Sequence, residues 1–305
     1  MHTVLDNQFS DIEPLTEAIR AWDLELRLME KGGFGAKLKQ VAGPDLLITA
    51  ARFGSRLHQS GSTPPGYRTF ALPGEGCSEF WWLGYAVDDL SILRFGKDGE
   101  LHAVSTGGFA VYTVSIRQHF IDALSDDLQV SCPTTDRGVT RVGRLQMQAL
   151  RQLVRSAILA TGEHARRAAG HQFVECLLTC CASGEQLRPP GPRSRDRAVM
   201  RVVDFLDQHG HSHPNLADLC RVAHVSERTL QYAFRERYQL SPNQFVRLWQ
   251  LNTARQQLLR KSRTDTSIAG IAAQCGFHDP SVFSRHYRSL YGERPSTTMT
   301  RKTAD

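Results

Sequence analysis

Apolar positions in the last third of the chain recur every three to four residues, and the whole pattern is written twice. Leu216, Leu219, Cys220 and Ala223 stand opposite Ile268, Ile271, Ala272 and Cys275 at an offset of 52. The second copy then gains one residue in its turn, and Leu230, Phe234, Tyr238 and Pro242 stand opposite Phe283, Tyr287, Tyr291 and Pro295 at an offset of 53. Each copy predicts a short helix, a tight turn and a second helix, over 216–238 and 268–291. In such a unit the first helix covers the inner face of the second and leaves its outer face free to enter a DNA major groove. Between the copies, Ser241-Pro242 opens a helix with proline at its first position. Phe245, Leu248, Leu251 and Leu258-Leu259 form one stripe along about 19 residues, or ~28 Å of helix. With the units' own width, that length suits two recognition helices about one DNA turn apart, ~34 Å. Val199, Val202-Val203 and Leu206 predict a further helix packed under the first unit.

The earlier part of the chain has a different texture. Leu15, Ile19 and Trp22 follow helical spacing and predict a helix at the start of 11–30. From 34 to 116, short apolar or alternating runs (LLITAARF, RTFAL, EFWWLGY, LSILRF, FAVYTVSI) are broken by Gly and Pro about every 8–12 residues, as in an antiparallel sandwich or small barrel. Helical spacing returns after Pro133. Val142, Leu145, Ala149, Leu153 and Ala157 form one series and Phe173, Leu177 and Cys181 another, with Gly162-Glu163 between them, so 140–182 reads as a helical hairpin. Residues 183–195 hold Pro189-Pro190 and Gly191-Pro192 without periodic apolar positions and read as a linker. The expected class is α+β with two domains: 1–182, then the linker, then an all-α domain over 196–300.

Composition sharpens this division. Apolar content of 41% and charged content of 22% are those of a folded globular chain. Residues 195–305 hold 17 Lys+Arg against 10 Asp+Glu, net +7, whereas residues 1–194 are net −1. Only the part containing the repeat is therefore suited to a polyanion. No apolar run approaches the ~18 residues of a membrane span, and the start lacks the basic and apolar regions of a signal peptide. Seven cysteines without zinc-type spacing point to reduced thiols in the cytoplasm.

At Ile271-Ala272, Cys275-Gly276-Phe277, Phe283-Ser284-Arg285, Tyr287, Gly292 and Pro295 the chain resembles the AraC/XylS bacterial transcription regulators. The likeness covers roughly 196–300. The wording SERTLQYAFRE resembles in particular the subgroup containing the ethanolamine-operon regulator. The resemblance implies double-stranded promoter DNA as partner and contact with RNA polymerase. It also implies a cupin-like barrel in the first domain and a homodimer formed through helices 140–182. Carried over by position, it puts base reading on Arg228, Gln231 and Tyr232, with Thr229 on the same outer flank, and phosphate contact on Arg235. In the second unit Ser281, Val282, Ser284 and Arg285 are the candidate readers and Arg288 the phosphate contact. Arginine can bind guanine and glutamine can bind adenine in bidentate fashion, while Val282 offers only an apolar contact to a thymine methyl. Two positions depart from the family, His224 in the first turn and Gln239 before Leu-Ser-Pro. If either needs a positive φ, a non-glycine residue there carries about 1 kcal/mol of strain.

Little in the first domain suggests chemistry. The stretch 73–85, where metal-binding cupins present histidines, contains none, and His58, His102 and His119 stand on separate runs, so neither metal nor cofactor is expected. The cluster Cys176, Cys180 and Cys181 could put two thiols on one helical face, as in a redox sensor, but buried cysteines usually serve as small hydrophobes. No catalytic set is found. The remaining role is dimerisation and reception of a small-molecule effector of unknown identity, for which Phe70, Phe80, Trp81, Trp82, Tyr85, Phe95 and Tyr112 supply aromatic surface. The alternative is a barrel enzyme or redox sensor carrying a DNA-binding module.

Overall fold

The computed structural model describes residues 1–19, 21–77, 80–82, 85–96, 99–131, 137–187, 194–209, 214–260 and 266–301. The chain divides into two compact units, the first Met1–Leu26 with Gly35–Pro190, the second Arg27–Phe34 with Gly191–Asp305.

The first unit opens with strand β1 (His2–Phe9), helix α1 (Ile12–Ala18) and strand β2 (Asp23–Leu28), whose last two residues already belong to the second unit. Then come β3 (Ala36–Ala42), β4 (Leu46–Phe53), β5 (Leu57–Ser62), β6 (Tyr67–Pro73), β7 (Phe80–Trp82), β8 (Tyr85–Val87), β9 (Ser91–Arg94), β10 (Glu100–Val104) and β11 (Ala110–Arg117). Helix α2 (Gln118–Leu128), β12 (Gly138–Arg141), α3 (Arg144–Leu159), α4 (Glu163–Ser183) and β13 (Glu185–Leu187) complete it.

Two antiparallel sheets result, ordered β1-β3-β4-β11-β6-β9-β12-β13 and β2-β5-β10-β7-β8. Their register shows how alternation builds the layers. Val41 pairs with Ile48, Ile48 with Val114 and Val114 with Phe70, a buried row crossing four strands of the larger sheet. This row belongs to one core with Met147, Leu150 and Val154 of α3 and Phe173, Val174 and Leu177 of α4. The intervening residues Leu38, Thr49, Ala51, Ala71, Leu93, Val111 and Thr113 point the other way, as the period of two requires. They line a cavity that Leu24, Gln59, Trp82, Leu101 and Ala103 of the smaller sheet also line. Gly61 is where β5 crowds the chain, since a Cβ there would sit 1.8 Å from the Asp23 carbonyl oxygen.

Several expectations for this unit need correction. The helix expected at the start of 11–30 stops at Ala18, and DLELRL, which alternates strictly, forms β2. In α3 the inward face is Met147, Leu150, Val154, Ala157 and Ile158, while Leu145 is 80% exposed and Ala149 is also exposed. Two apolar series overlap there: of the expected one, Val142 and Ala157 are buried and Leu153 is half-buried, but Leu145 and Ala149 face out. The expected linker is partly ordered: Ser183 ends α4, Glu185–Leu187 pairs with β12, and residues 188–193 lie outside the described residues.

The second unit is helical, with α5 (Ser194–Gln208), α6 (Leu216–Ala223), α7 (Glu227–Tyr238), α8 (Pro242–Arg260), α9 (Ile268–Gln274), α10 (Pro280–Tyr291) and α11 (Pro295–Arg301). The repeat's apolar positions are its core: Leu219, Leu230, Phe234 and Tyr238 in one half, Ile271, Phe283 and Tyr287 in the other, all fully buried. Both departures from the family sit where the backbone turns left-handed, His224 at φ 54° and Gln239 at φ 56°, each capping a helix C-terminus. Gly292 takes the same role after α10 at φ 75°.

Residues 27–34 are a component of this unit that the apolar pattern did not suggest. The Asn252 side chain in α8 accepts from Leu28 N at 2.9 Å and donates to Leu28 O at 3.0 Å. The Arg27 guanidinium lies 3.8 Å over the Trp249 ring and 3.0 Å from Asp207. Gly32 N and Gly33 N donate to Ser289 O and Leu290 O, carbonyls in the last turn of α10 that the helix itself leaves open.

Candidate nucleic-acid interface

Ser226 starts α7, its hydroxyl accepting from Thr229 N at 3.3 Å, and Asp279 starts α10, accepting from Ser281 N at 2.7 Å and Val282 N at 3.3 Å. From those caps the two helices run in the same register. Arg228, Gln231, Tyr232 and Arg235 follow i, i+3, i+4, i+7, and Ser281, Ser284, Arg285 and Arg288 repeat the series 53 residues later. Each set therefore shares one helix face.

The candidate side chains differ in availability. Arg228, Tyr232 and Arg235 are exposed, as are Ser281, Arg285 and Arg288, whereas Thr229, Gln231, Val282 and Ser284 are half-buried. Thr229 Oγ1 is 3.0 Å from the Ser226 hydroxyl, and Gln231 Nε2 donates to Glu227 Oε1 at 3.0 Å. Both must give up a local partner to reach a base. Arg228 stacks 5.6 Å over the Tyr232 ring, an arrangement that leaves its donors open.

Two further arginines join these faces that the repeat alone did not mark. Arg195, placed in the linker by its sequence, opens α5, lies 5.9 Å over Tyr232 and pairs with Glu236 at 3.5 Å. Arg294 lines a cleft of about 620 Å3 with Ser284, Arg285, Arg288 and Ser289, so three guanidinium groups meet in one concavity. Such a cleft favours a phosphate over any neutral ligand. His286, beside it, is pushed below its ordinary value by partial burial and then by Arg247, Lys31 and Arg285, so it adds no positive charge at neutral pH.

The first unit offers less. Among the described residues no group of three metal-binding side chains converges. The Cys176 thiol, half-buried in α4, is lowered to about 7 by a hydrogen bond from Cys180, whose own thiol is raised. Of the aromatics expected to line a pocket, Trp82 and Phe95 do so. Phe70 belongs to the opposite core and Tyr112 packs against it, while the side chains of Phe80 and Tyr85 lie outside the described residues. Trp22, Phe53 and Phe109 line the cavity in their place. No described helix is long and apolar enough to cross a membrane.

A family described as a helix-turn-helix domain matches residues 219–301. The HTH-type transcriptional regulator CdhR of Pseudomonas aeruginosa is 33% identical over 101 residues, 33% of this chain and 29% of that protein. The XylDLEGF operon transcriptional activator of Pseudomonas putida is 32% identical over 99 residues, 32% of this chain and 31% of that protein. A solved structure, a probable AraC family transcriptional regulator from Rhodopseudomonas palustris, is 30% identical with a TM-score of 0.32, covering 34% of this chain and 96% of that one. The chain thus spans under a third of the length of the first two relatives. Residues 219–301, which carry α7 and α10, are thus a helix-turn-helix domain, and over this stretch the chain is similar to these transcription regulators.

Proposed function

We propose that the chain is a cytoplasmic transcription regulator that inserts α7 and α10 into successive major grooves of promoter DNA. The observation that carries this reading is the repeated face, 228/231/232/235 and 281/284/285/288, on two helices of a domain of this family. Arg228, Gln231, Tyr232 and Arg285 read base edges, with Thr229, Ser281, Val282 and Ser284 at the margins of the same faces. Arg235 and Arg288, one turn further along, hold phosphates. Helix α8, 19 residues or about 28 Å long, spaces the two units. This reading assigns the chain no catalytic role. Contact with RNA polymerase or occlusion of the promoter then changes transcription. The full chain's preference for a selected duplex over random duplex tests this function.

The first unit serves dimerisation and sensing. Leu145 is 80% exposed and Leu159 66% exposed on the outer side of α3, a cost in water that a second copy of the helix would relieve. Pairing would also raise the effective concentration of the second DNA-binding unit once the first is bound. Leu145→Glu combined with Leu159→Glu is expected to convert the chain to a monomer in sedimentation velocity with its melting unchanged. A dimer that survives both charges removes α3 as the interface. The cavity between the sheets is the sensory site. Leu24, which lines it, is three residues from Arg27 in the same strand, so the chain runs directly from the cavity into the second unit.

A further inference from the structure

The cavity between the two sheets has a chemistry specific enough to name its occupant's class. Its volume is about 80 Å3. One water needs ~10–15 Å3 by this measure, so the space is that of one ring with a small substituent. Its wall is apolar and aromatic. Phe95 stands edge-on between Trp22 and Trp82, with ring centroids 5.8 Å and 5.6 Å away. Among the described residues of the wall the polar side chains are Thr49, Gln59, Ser105 and Thr113, with no Lys, Arg, His, Asp or Glu. Two of those four are already used: Thr49 Oγ1 accepts from Gln40 Nε2 at 2.9 Å, and Ser105 Oγ accepts from Leu57 N at 3.3 Å.

One buried donor in the wall has no partner among the described residues. Trp82 lines the cavity, is 1% exposed, and its indole Nε1–H has no hydrogen-bond partner. A buried N–H without an acceptor is costly, and a ligand that supplies one recovers that cost on binding. A charged ligand would instead lose its hydration with no countercharge to replace it.

Resting on the sensory role proposed above, we propose that this cavity binds an uncharged, single-ring molecule whose hydrogen-bond acceptor meets the Trp82 indole N–H. Aromatic and alicyclic rings both satisfy the wall, which offers edges and faces of Trp22, Phe95 and Trp82. The acceptor is a carbonyl, ether or hydroxyl oxygen.

The test uses the full chain with acetophenone, toluene and benzoate as probes, followed by tryptophan fluorescence and calorimetry. Acetophenone is expected to bind about 3- to 10-fold more tightly than toluene, the worth of one hydrogen bond. Benzoate is expected to bind at least ~100-fold more weakly than acetophenone, because its carboxylate finds no partner. Trp82→Phe, which keeps the aromatic surface and removes the N–H, should bring acetophenone down to toluene's affinity and leave toluene unchanged. Should that variant fold poorly, the indole 1H–15N signal of Trp82 in the wild-type chain gives the same answer, shifting with acetophenone and not with toluene. Equal or tighter binding of benzoate overturns the proposal. So does an acetophenone preference that survives Trp82→Phe, an unmoved indole signal, or failure of all three probes to bind. A chain that ignores the probes yet selects DNA sites loses this inference alone, whereas one that binds acetophenone and selects no DNA site loses the regulator reading alone.

Discussion

Glu293→Ala is expected to destabilise the second unit by about 3–5 kcal/mol, the cost of removing one member of a buried ion pair. Arg255 in α8 is 2% exposed, and its Nη1 donates to Glu293 Oε1 at 2.8 Å and to the Tyr287 hydroxyl at 3.3 Å. Thr298 of α11 also donates to Glu293 Oε1 at 2.8 Å, and Arg301 lies 2.8 Å from Oε2. This network ties α8, α10 and α11 together, and with them the angle at which α10 leaves the body of the unit. The exposed pair Arg221–Asp218, at 3.2 Å, has nearly the same distance and opposite consequences. Water already solvates both of its charges, and its loss should cost about 0–1 kcal/mol. In calorimetry the melting of the second unit should fall by on the order of 10–20 °C for Glu293→Ala and by little for Arg221→Ala. Similar small shifts for both would mean that Arg255 finds compensation elsewhere and that the network does not set the helix angle.

The second large effect is on recognition. Arg228→Ala should weaken binding to a selected duplex by about 1–3 kcal/mol, roughly 5- to 150-fold, and relax preference at one base pair. Arg235→Ala should weaken selected and random duplex alike and lower the salt dependence by about one phosphate. The distinction follows from position: Arg228 leaves the first turn of α7, the end by which a recognition helix meets base edges in such motifs, and Arg235 lies about two turns further along. Titrations of both variants across a salt series separate the roles. Equal losses on selected and random duplex for Arg228→Ala would make it a phosphate contact.

The second unit was largely legible because its helices encode themselves locally. Leu230, Phe234 and Tyr238 fall at i, i+4, i+8, and burying that stripe dictates which residues remain outside. His224 and Gln239 were readable for the same reason, since a helix end that turns left-handed does so whatever lies elsewhere in the chain. Long-range pairings were not readable. β1, an edge strand with HTVLDNQF mostly exposed, has no alternation to detect. The placing of 27–34 depends on one side-chain amide, Asn252, 224 residues away. Arg151 in α3 donates to Pro73 O at 2.8 Å and is 5% exposed, although its sequence context reads as a solvated helix face. The cavity needed both sheets, because Trp22 and Trp82 are 60 residues apart and meet only once Phe95 stands between them. Tertiary partners decide such cases, and a local pattern does not contain them.

Selection of duplexes from a random pool by the full chain, followed by sequencing, bears most directly on the placement of α7 and α10 in neighbouring grooves. Two conserved blocks centred about 10–11 base pairs apart should emerge, one for each recognition helix. A single block, blocks out of phase with the helical repeat, or no enrichment over the starting pool would contradict it.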